Sequence, residues 1–227
     1  MVKPVKLISS LYVFFLYFLR IKKIEKYSVE KRAVKCIGYM TDSRKIKTKE
    51  VSDSINLPSS LIANSNERVI KKDKIGIAQV DSNILFYKKY NSIISILEFY
   101  NELNNLIKLS GVDHVPGIKY IDNRNRVIYM DYIPGVSINK YKNNSKFSGS
   151  SKVVEEVCSN IIKQIHEKSV FISDLERRNI VYYENEFYFV DFGDSIDCSM
   201  IPEFYFRMLK KLDIMFFEQR VIRKLLK

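Results

Sequence analysis

Tryptophan is absent from this chain of 227 residues, and histidine, cysteine, proline and glycine are scarce. Its three cysteines, Cys36, Cys158 and Cys198, are odd in number and match no zinc or dithiol spacing. With only His114 and His166 beside them, there is little from which to build a His/Cys metal centre. The thiols read as ordinary reduced residues, which fits the cytoplasm. Long apolar runs are also missing. The longest, Leu7–Leu19, has thirteen uncharged residues, short of the roughly 20 that a bilayer-spanning helix takes. Lys3 and Lys6 precede it, and Arg20, Lys22 and Lys23 follow where a signal peptide would carry a small-residue cleavage site, so cleavage is not expected. Two readings of this segment stay open: a helix lying in the cytoplasmic membrane interface, or a helix buried against the domain.

Hydrophobic residues make up 46% of the chain and charged ones 28%, enough apolar content for a packed core and too little charge for disorder. The net charge of +12 is uneven. Residues 1–75 carry 17 Lys and Arg against 7 Asp and Glu, whereas residues 76–227 carry 21 against 19. Such an excess suits either an anionic partner (a membrane surface, a phosphorylated glycan or a nucleic acid) or a merely solvated basic tail.

Periodicity divides the chain. Residues 1–35 form the basic, apolar N-terminal segment, and the polar stretch 36–66 reads as a connector. From Glu67, RVIKKDKIGIAQV and NILFYKKY are strand-like and are separated by an Asp-Ser-Asn turn. SIISILEFYNELNNLIKL carries apolar residues at helical spacing, with Gly111 as its stop. Two further strands, VPGIKYID and NRVIYMDYI, end at Pro134-Gly135. Then come a polar loop over 139–151, an amphipathic helix from Lys152 to Lys168, the strands VYY and FYFV around ENE, and a helical tail from Glu203. This order predicts an α+β fold of two lobes, a β-rich lobe over 67–133 and a helical lobe over 134–227.

The chemistry concentrates in IHEKSVFISDLERRNIVYYENEFYFVDFGDS. Transfer of a phosphoryl group to a hydroxyl needs an acceptor for the hydroxyl proton and hard oxygen ligands for Mg²⁺. Asp174 offers the first, and Asn179 and Asp191 offer the second from two loops at one end of a short hairpin. Asp174 also has a plainer reading as a helix cap and Asn179 as a turn residue, and a D-F-G triplet arises often by chance. The run D-L-x-x-x-N-I, leading through a strand into Asp191-Phe192-Gly193, resembles the catalytic and metal-binding loops of the protein-kinase-like superfamily. His166, eight residues before Asp174, resembles the lead-in histidine of many members and is expected to be structural.

That resemblance implies ATP and Mg²⁺ as cofactors and a lysine–glutamate pair in the first lobe. Lys88 and Lys89 are the lysine candidates, Glu98 and Glu102 the glutamates; Lys88 with Glu102 is the preferred pair, Glu102 because NELNNLIKLSGVDHVP resembles the run after this glutamate in small kinases. VIYMDYIPG resembles the strand between the lobes. Met130, Asp131 and Tyr132 would then offer backbone groups to adenine, with Met130 beside the pocket. Several features depart from the pattern. There is no G-x-G-x-x-G, and only Gly76 stands near the expected phosphate-covering loop, leaving Lys71, Lys72 and Lys74 as phosphate contacts. Ile172 and Glu176 replace expected residues, and only 34 residues follow Gly193.

The departures point to a compact, atypical member similar to RIO-like kinases and to the lipopolysaccharide-core sugar kinases of the Kdo and heptose type. The leading expectation is an ATP-dependent kinase of a membrane glycolipid sugar, cytoplasmic or peripheral on the inner face of the cytoplasmic membrane, with Arg177 or Arg178 near an anionic acceptor. A RIO-like protein kinase or ATPase, with a protein acceptor, is the alternative. A nucleotide-binding pseudokinase is a third reading, and nucleic acid is a weaker partner.

Overall fold

The computed structural model describes residues 34–40, 46–48, 74–81, 83–92, 95–139 and 151–225. The apolar segment Leu7–Leu19, Lys71 and Lys72, and most of the polar loop over 139–151 lie outside them. The first half is a six-stranded antiparallel sheet of order β2-β1-β3-β4-β6-β5. Its strands are β1 (Val34–Met40), β2 (Ile46–Thr48), β3 (Ile75–Val80), β4 (Asn83–Lys89), β5 (Ile118–Asp122) and β6 (Val127–Asp131). Helix α1 (Ser95–Lys108) lies between β4 and β5 in sequence. The second half holds α2 (Ser151–Glu167), α3 (Glu203–Phe217) and two small sheets, one of β7 (Val136–Ser137), β9 (Ile180–Tyr183) and β10 (Glu186–Phe189), the other of β8 (Val170–Phe171) and β11 (Ile196–Asp197). This is the expected two-lobed α+β arrangement.

The sheet is two-faced because side chains alternate along each strand. In β4, Leu85 and Tyr87 pack with Ala78, Val80, Val127 and Tyr129 on one face. Phe86 turns to the other, where the main core runs without a break from Phe99, Leu103 and Leu106 of α1 to Ile161 and Ile165 of α2 and Phe217 of α3. Lys88 follows Phe86 in this alternation, so it faces α1. At the start of α1, Ser92 and Ser95 cap each other: each backbone N–H donates to the other's hydroxyl, at 2.9 and 3.1 Å. Gly111, with φ +86°, occupies the left-handed region beyond the end of α1.

Two expectations differ from the structure. The stretch read as a connector contains strands: β1 straddles the boundary at 35/36 and pairs with β3 along Val34–Tyr39, while β2 extends the sheet at its edge. The first lobe therefore begins before Glu67. Short strand segments followed by a long polar stretch carry too little alternation to stand out. Gly76, the candidate for a phosphate-covering loop, sits inside β3 opposite Tyr87 on one side and Tyr39 on the other.

The lobes are joined by residues 132–135. Val136 at once pairs with Tyr182 of the β9–β10 hairpin. Gly135 is required here, since a Cβ on it would meet the Tyr182 carbonyl oxygen at 2.5 Å and Val181 Cγ1 at 2.4 Å. Among the described residues, no helix is long and apolar enough to cross a membrane.

Candidate active site

The β9–β10 hairpin sets the site. Its turn residues Glu184 and Asn185 both have positive φ, 48° and 67°, which matches the right-handed twist of tightly paired strands. Register runs from Glu186 opposite Tyr183 to Phe189 opposite Ile180. One step further, the Val190 N–H donates to the Asn179 carbonyl at 2.9 Å. The hairpin thus brings Asn179, on a single 3₁₀ turn at Arg177–Asn179, beside Asp191 on the loop after β10. Asp191 has φ +75° and Ser173, just before Asp174, has φ +68°. Such backbone conformations persist only where the surroundings hold them, and they cluster at working sites.

Asn179 Nδ2 donates to Asp174 Oδ2 at 2.9 Å and to the Asp174 carbonyl at 3.0 Å. Its amide oxygen, the end a hard cation takes, is not used in these bonds. Arg178 Nη2 donates to the same Asp174 Oδ2 at 3.1 Å and pairs through Nε with Glu176. Both bonds fall on Oδ2, so the other oxygen of Asp174 takes neither. The loop leading into Asp174 hangs from one buried carboxylate. Asp213 of α3 accepts from the backbone N–H groups of Ile172 and Ser173 at 2.8 and 3.0 Å, and His166 Nε2 lies 2.8 Å from its Oδ2. His166 is buried beside it, in the structural place expected of it.

Across the cleft, Lys88 Nζ donates to both oxygens of Glu102 at 2.9 Å and to Asp191 Oδ1 at 2.6 Å. Glu102 is 1% exposed, whereas Glu98 is exposed at the rim and Lys89 is on the other face of β4. Burial works against the Lys88 ammonium, but the Glu102 and Asp191 carboxylates outweigh it and hold its pKa above the ordinary lysine value. Burial pushes the Glu102 carboxyl up, against the pull of Lys88. The Tyr90 hydroxyl also donates to Glu102 Oε2. Burial raises that phenol well above its usual range, and the Glu102 carboxylate adds to the rise, so it stays a donor. Lys74, Lys88, Tyr90, Glu102, Asp191 and Asp194 line the cavity at this point.

The segment between the lobes fits its expected part less fully. Met130 is 3% exposed in the main core, between Phe86 and Ile118. Tyr132 follows at the crossing, half-buried. The Asp131 N–H is already donated to the Gly117 carbonyl at 3.0 Å, while its carboxylate accepts from the Gly117 N–H and pairs with Lys119. Asp131 therefore has no free amide to offer a ligand. Tyr90, Asp213 and the asparagines of α1 were not singled out from the sequence. The asparagines carry a signal in hindsight, since Asn101 and Asn105 stand one turn apart on a helix side shared with core leucines.

The donor set suits Mg²⁺: one carboxylate and one amide oxygen on adjoining loops, leaving most of the coordination to water and phosphates, as this ion prefers. Among the described residues no cluster of His, Cys, Asp and Glu forms a metal site complete in itself. The chain is 32% identical over 80 residues to KEOPS complex subunit Bud32 of Pyrococcus abyssi, covering 35% of this chain and 36% of that protein. It is 31% identical over 114 residues to EKC/KEOPS complex subunit bud32 of Dictyostelium discoideum, covering 48% and 44%. The chain thus spans less than half the length of the curated relatives it matches. Residues 98–218, more than half of the chain, match the ABC1 atypical kinase-like domain, and with Glu102, Asp174, Asn179 and Asp191 all inside that match the chain belongs to the ABC1 atypical kinase-like family.

Proposed function

We propose that this protein is an ATP-dependent phosphotransferase of the RIO-like kind, passing the γ-phosphoryl group to a protein hydroxyl or to water. One observation carries the reading: Lys88 bridges Glu102 and Asp191 across the cleft at 2.6–2.9 Å, with Asn179 and Asp174 bonded together on the adjoining turn. Lys88, held by Glu102, orients the ATP phosphates. Asn179 and Asp191 would hold Mg²⁺, which would supply charge neutralisation at the phosphates. Asp174 accepts the proton of the attacking hydroxyl. The new O–P bond forms as the bond from the γ-phosphorus to the β–γ bridging oxygen breaks, and ADP leaves with that electron pair. Met130 and Tyr132 border the adenine.

The two relatives are named as subunits of a KEOPS complex, which supports a protein assembly as the setting for this chain. A lipopolysaccharide sugar acceptor gains no support from those relatives, and the protein kinase or ATPase reading is preferred over it. The test is incubation of the purified protein with γ-labelled ATP and Mg²⁺, following label into protein and into free phosphate. Asp174→Ala should lower turnover by about 100-fold or more, within the usual range for a lost acid–base group. Lys88→Met should lower it too, by removing the group that orients the ATP phosphates. Asp174→Ala should still bind Mg–ATP. Undiminished turnover in Asp174→Ala would remove that residue from its role. Failure of the wild-type protein to bind Mg–ATP would favour the pseudokinase reading.

A further inference from the structure

Helix α1 buries amides where a helix of this kind would ordinarily bury leucines. Asn101 is 1% exposed and Asn105 is 0% exposed, among Phe99, Leu103 and Leu106. A buried amide is costly unless its hydrogen bonds are made. Here only the Nδ2 ends are paired, the buried Oδ1 of each having no hydrogen-bond partner among the described residues. Asn101 Nδ2 donates to the carbonyls of Gly193 and Ser195 at 3.0 and 2.8 Å. Asn105 Nδ2 donates to the carbonyls of Ser195 and Phe192 at 3.0 and 3.4 Å. All of these acceptors lie within the four residues after Asp191. Further along the same helix, Asn104 Nδ2 donates to Asp197 Oδ2 at 2.9 Å, and Lys108 pairs with Asp197 Oδ1. Gly193 sits close under Glu102, where an added Cβ would approach Oε2 to 3.2 Å.

We infer that Asn101 and Asn105 are positioning residues for Asp191: their amides lock the backbone after it to the helix that carries Glu102. The partner of Lys88 and the carboxylate expected to hold the metal are then set as one body. Leucines at 101 and 105 would fill the same space, but they would leave the carbonyls of Phe192, Gly193 and Ser195 without these donors in a buried place. Asp191 needs such a support, since its φ of +75° is not one that a free loop would keep. The inference rests on Asp191 as a metal ligand, and it makes α1 and the Asp191 loop an assembled unit in the absence of any modification of that loop.

The test uses the full chain with Asn101→Leu and Asn105→Leu, and Asn101→Ser and Asn105→Ser as milder partners should a leucine variant not fold. Two readouts are needed. Hydrogen exchange of residues 191–199 is measured without nucleotide, and the Mg²⁺ concentration for half-maximal ATP turnover is measured alongside kcat and the KM for ATP. The expected result is faster exchange in 191–199 and a Mg²⁺ requirement raised by about 10-fold or more, the usual effect of removing a residue that orients a metal ligand. A residue that only stabilised the fold would lower the melting temperature and leave the Mg²⁺ requirement where it was. Folded variants with wild-type exchange in 191–199 and an unchanged Mg²⁺ requirement would overturn the inference. If the wild-type protein proves not to use Mg–ATP, the proposed function fails, while the exchange experiment still decides whether the asparagines hold the loop.

Discussion

Replacing Asp213 by alanine probes the support of the Asp174 loop directly. Asp213 is 0% exposed, and its two oxygens satisfy the backbone N–H groups of Ile172 and Ser173 as well as the His166 ring. Alanine leaves the buried Ile172 N–H and His166 ring, and the partly buried Ser173 N–H, facing a small void. Breaking a buried charged network from one side costs about 3–5 kcal/mol, a large part of the roughly 5–15 kcal/mol that holds a typical domain together. About 2–4 °C is lost per kcal/mol in a domain of this size, so the melting temperature should fall by about 10 °C. Asp213→Asn keeps one acceptor and should fall about half as far. Ser173, held at φ +68° by these bonds, should relax, and ATP turnover should drop more than the melting temperature alone would explain at a temperature where both proteins are folded. Calorimetry with urea titration measures the first effect and labelled-ATP turnover the second. A loss of stability below about 1 kcal/mol, within reach of a single ordinary hydrogen bond, would refute the claim that the loop hangs from this carboxylate.

Asp197 should matter for acid stability. Burial pushes its carboxyl up, but the hydrogen bonds from Lys108, Ser199 and Asn104 outweigh this and hold it below its ordinary value of 3.8. A depressed folded pKa contributes stability above the unfolded value that is lost as pH falls through the folded one. The stability gap between wild type and Asp197→Asn should therefore be widest above pH 4 and close as pH drops below about 3.8; urea midpoints across pH 3–7 measure it. Gly135→Ala should destabilise by about 1–3 kcal/mol through overpacking, because its Cβ would press on the Tyr182 backbone, and a thermal melt checks this.

Strand alternation puts Lys88 and Lys89 on opposite faces, but Phe86 and Tyr87 are both aromatic, so the sequence does not mark which face meets α1. The structure does, with Phe86 against the main core and Lys88 on Glu102. Helical spacing leaves Glu98 and Glu102 one turn apart on the same face, so only the resemblance of NELNNLIKLSGVDHVP to small kinases favours Glu102. The hairpin and its turn were legible because positions 184 and 185 are polar between two aromatic-rich strands. Other features were not. β1 and β2 are short, and β1 pairs with β3 across a long polar stretch, so no local pattern announces them. Asp213 acts on residues some forty positions away through backbone N–H groups, and a lone acidic residue on an amphipathic helix leaves no mark of such a role. Asp131 shows the same limit: its place between the lobes could be read, but the Gly117 carbonyl that claims its N–H belongs to a different loop.

The paired arms of the β9–β10 hairpin work as a calliper. Asn179 and Asp191 stand just beyond the last matched pair, Ile180 with Phe189, so their spacing is fixed by counting residues on both arms. Lengthening the turn, or adding one residue to each arm, moves the tip and spares the jaws. Adding one residue to a single arm turns every side chain beyond it to the opposite face. The tip at Glu184–Asn185 is therefore a natural place for a tag or a spectroscopic probe, and the strands behind it are among the least forgiving of length changes in the chain.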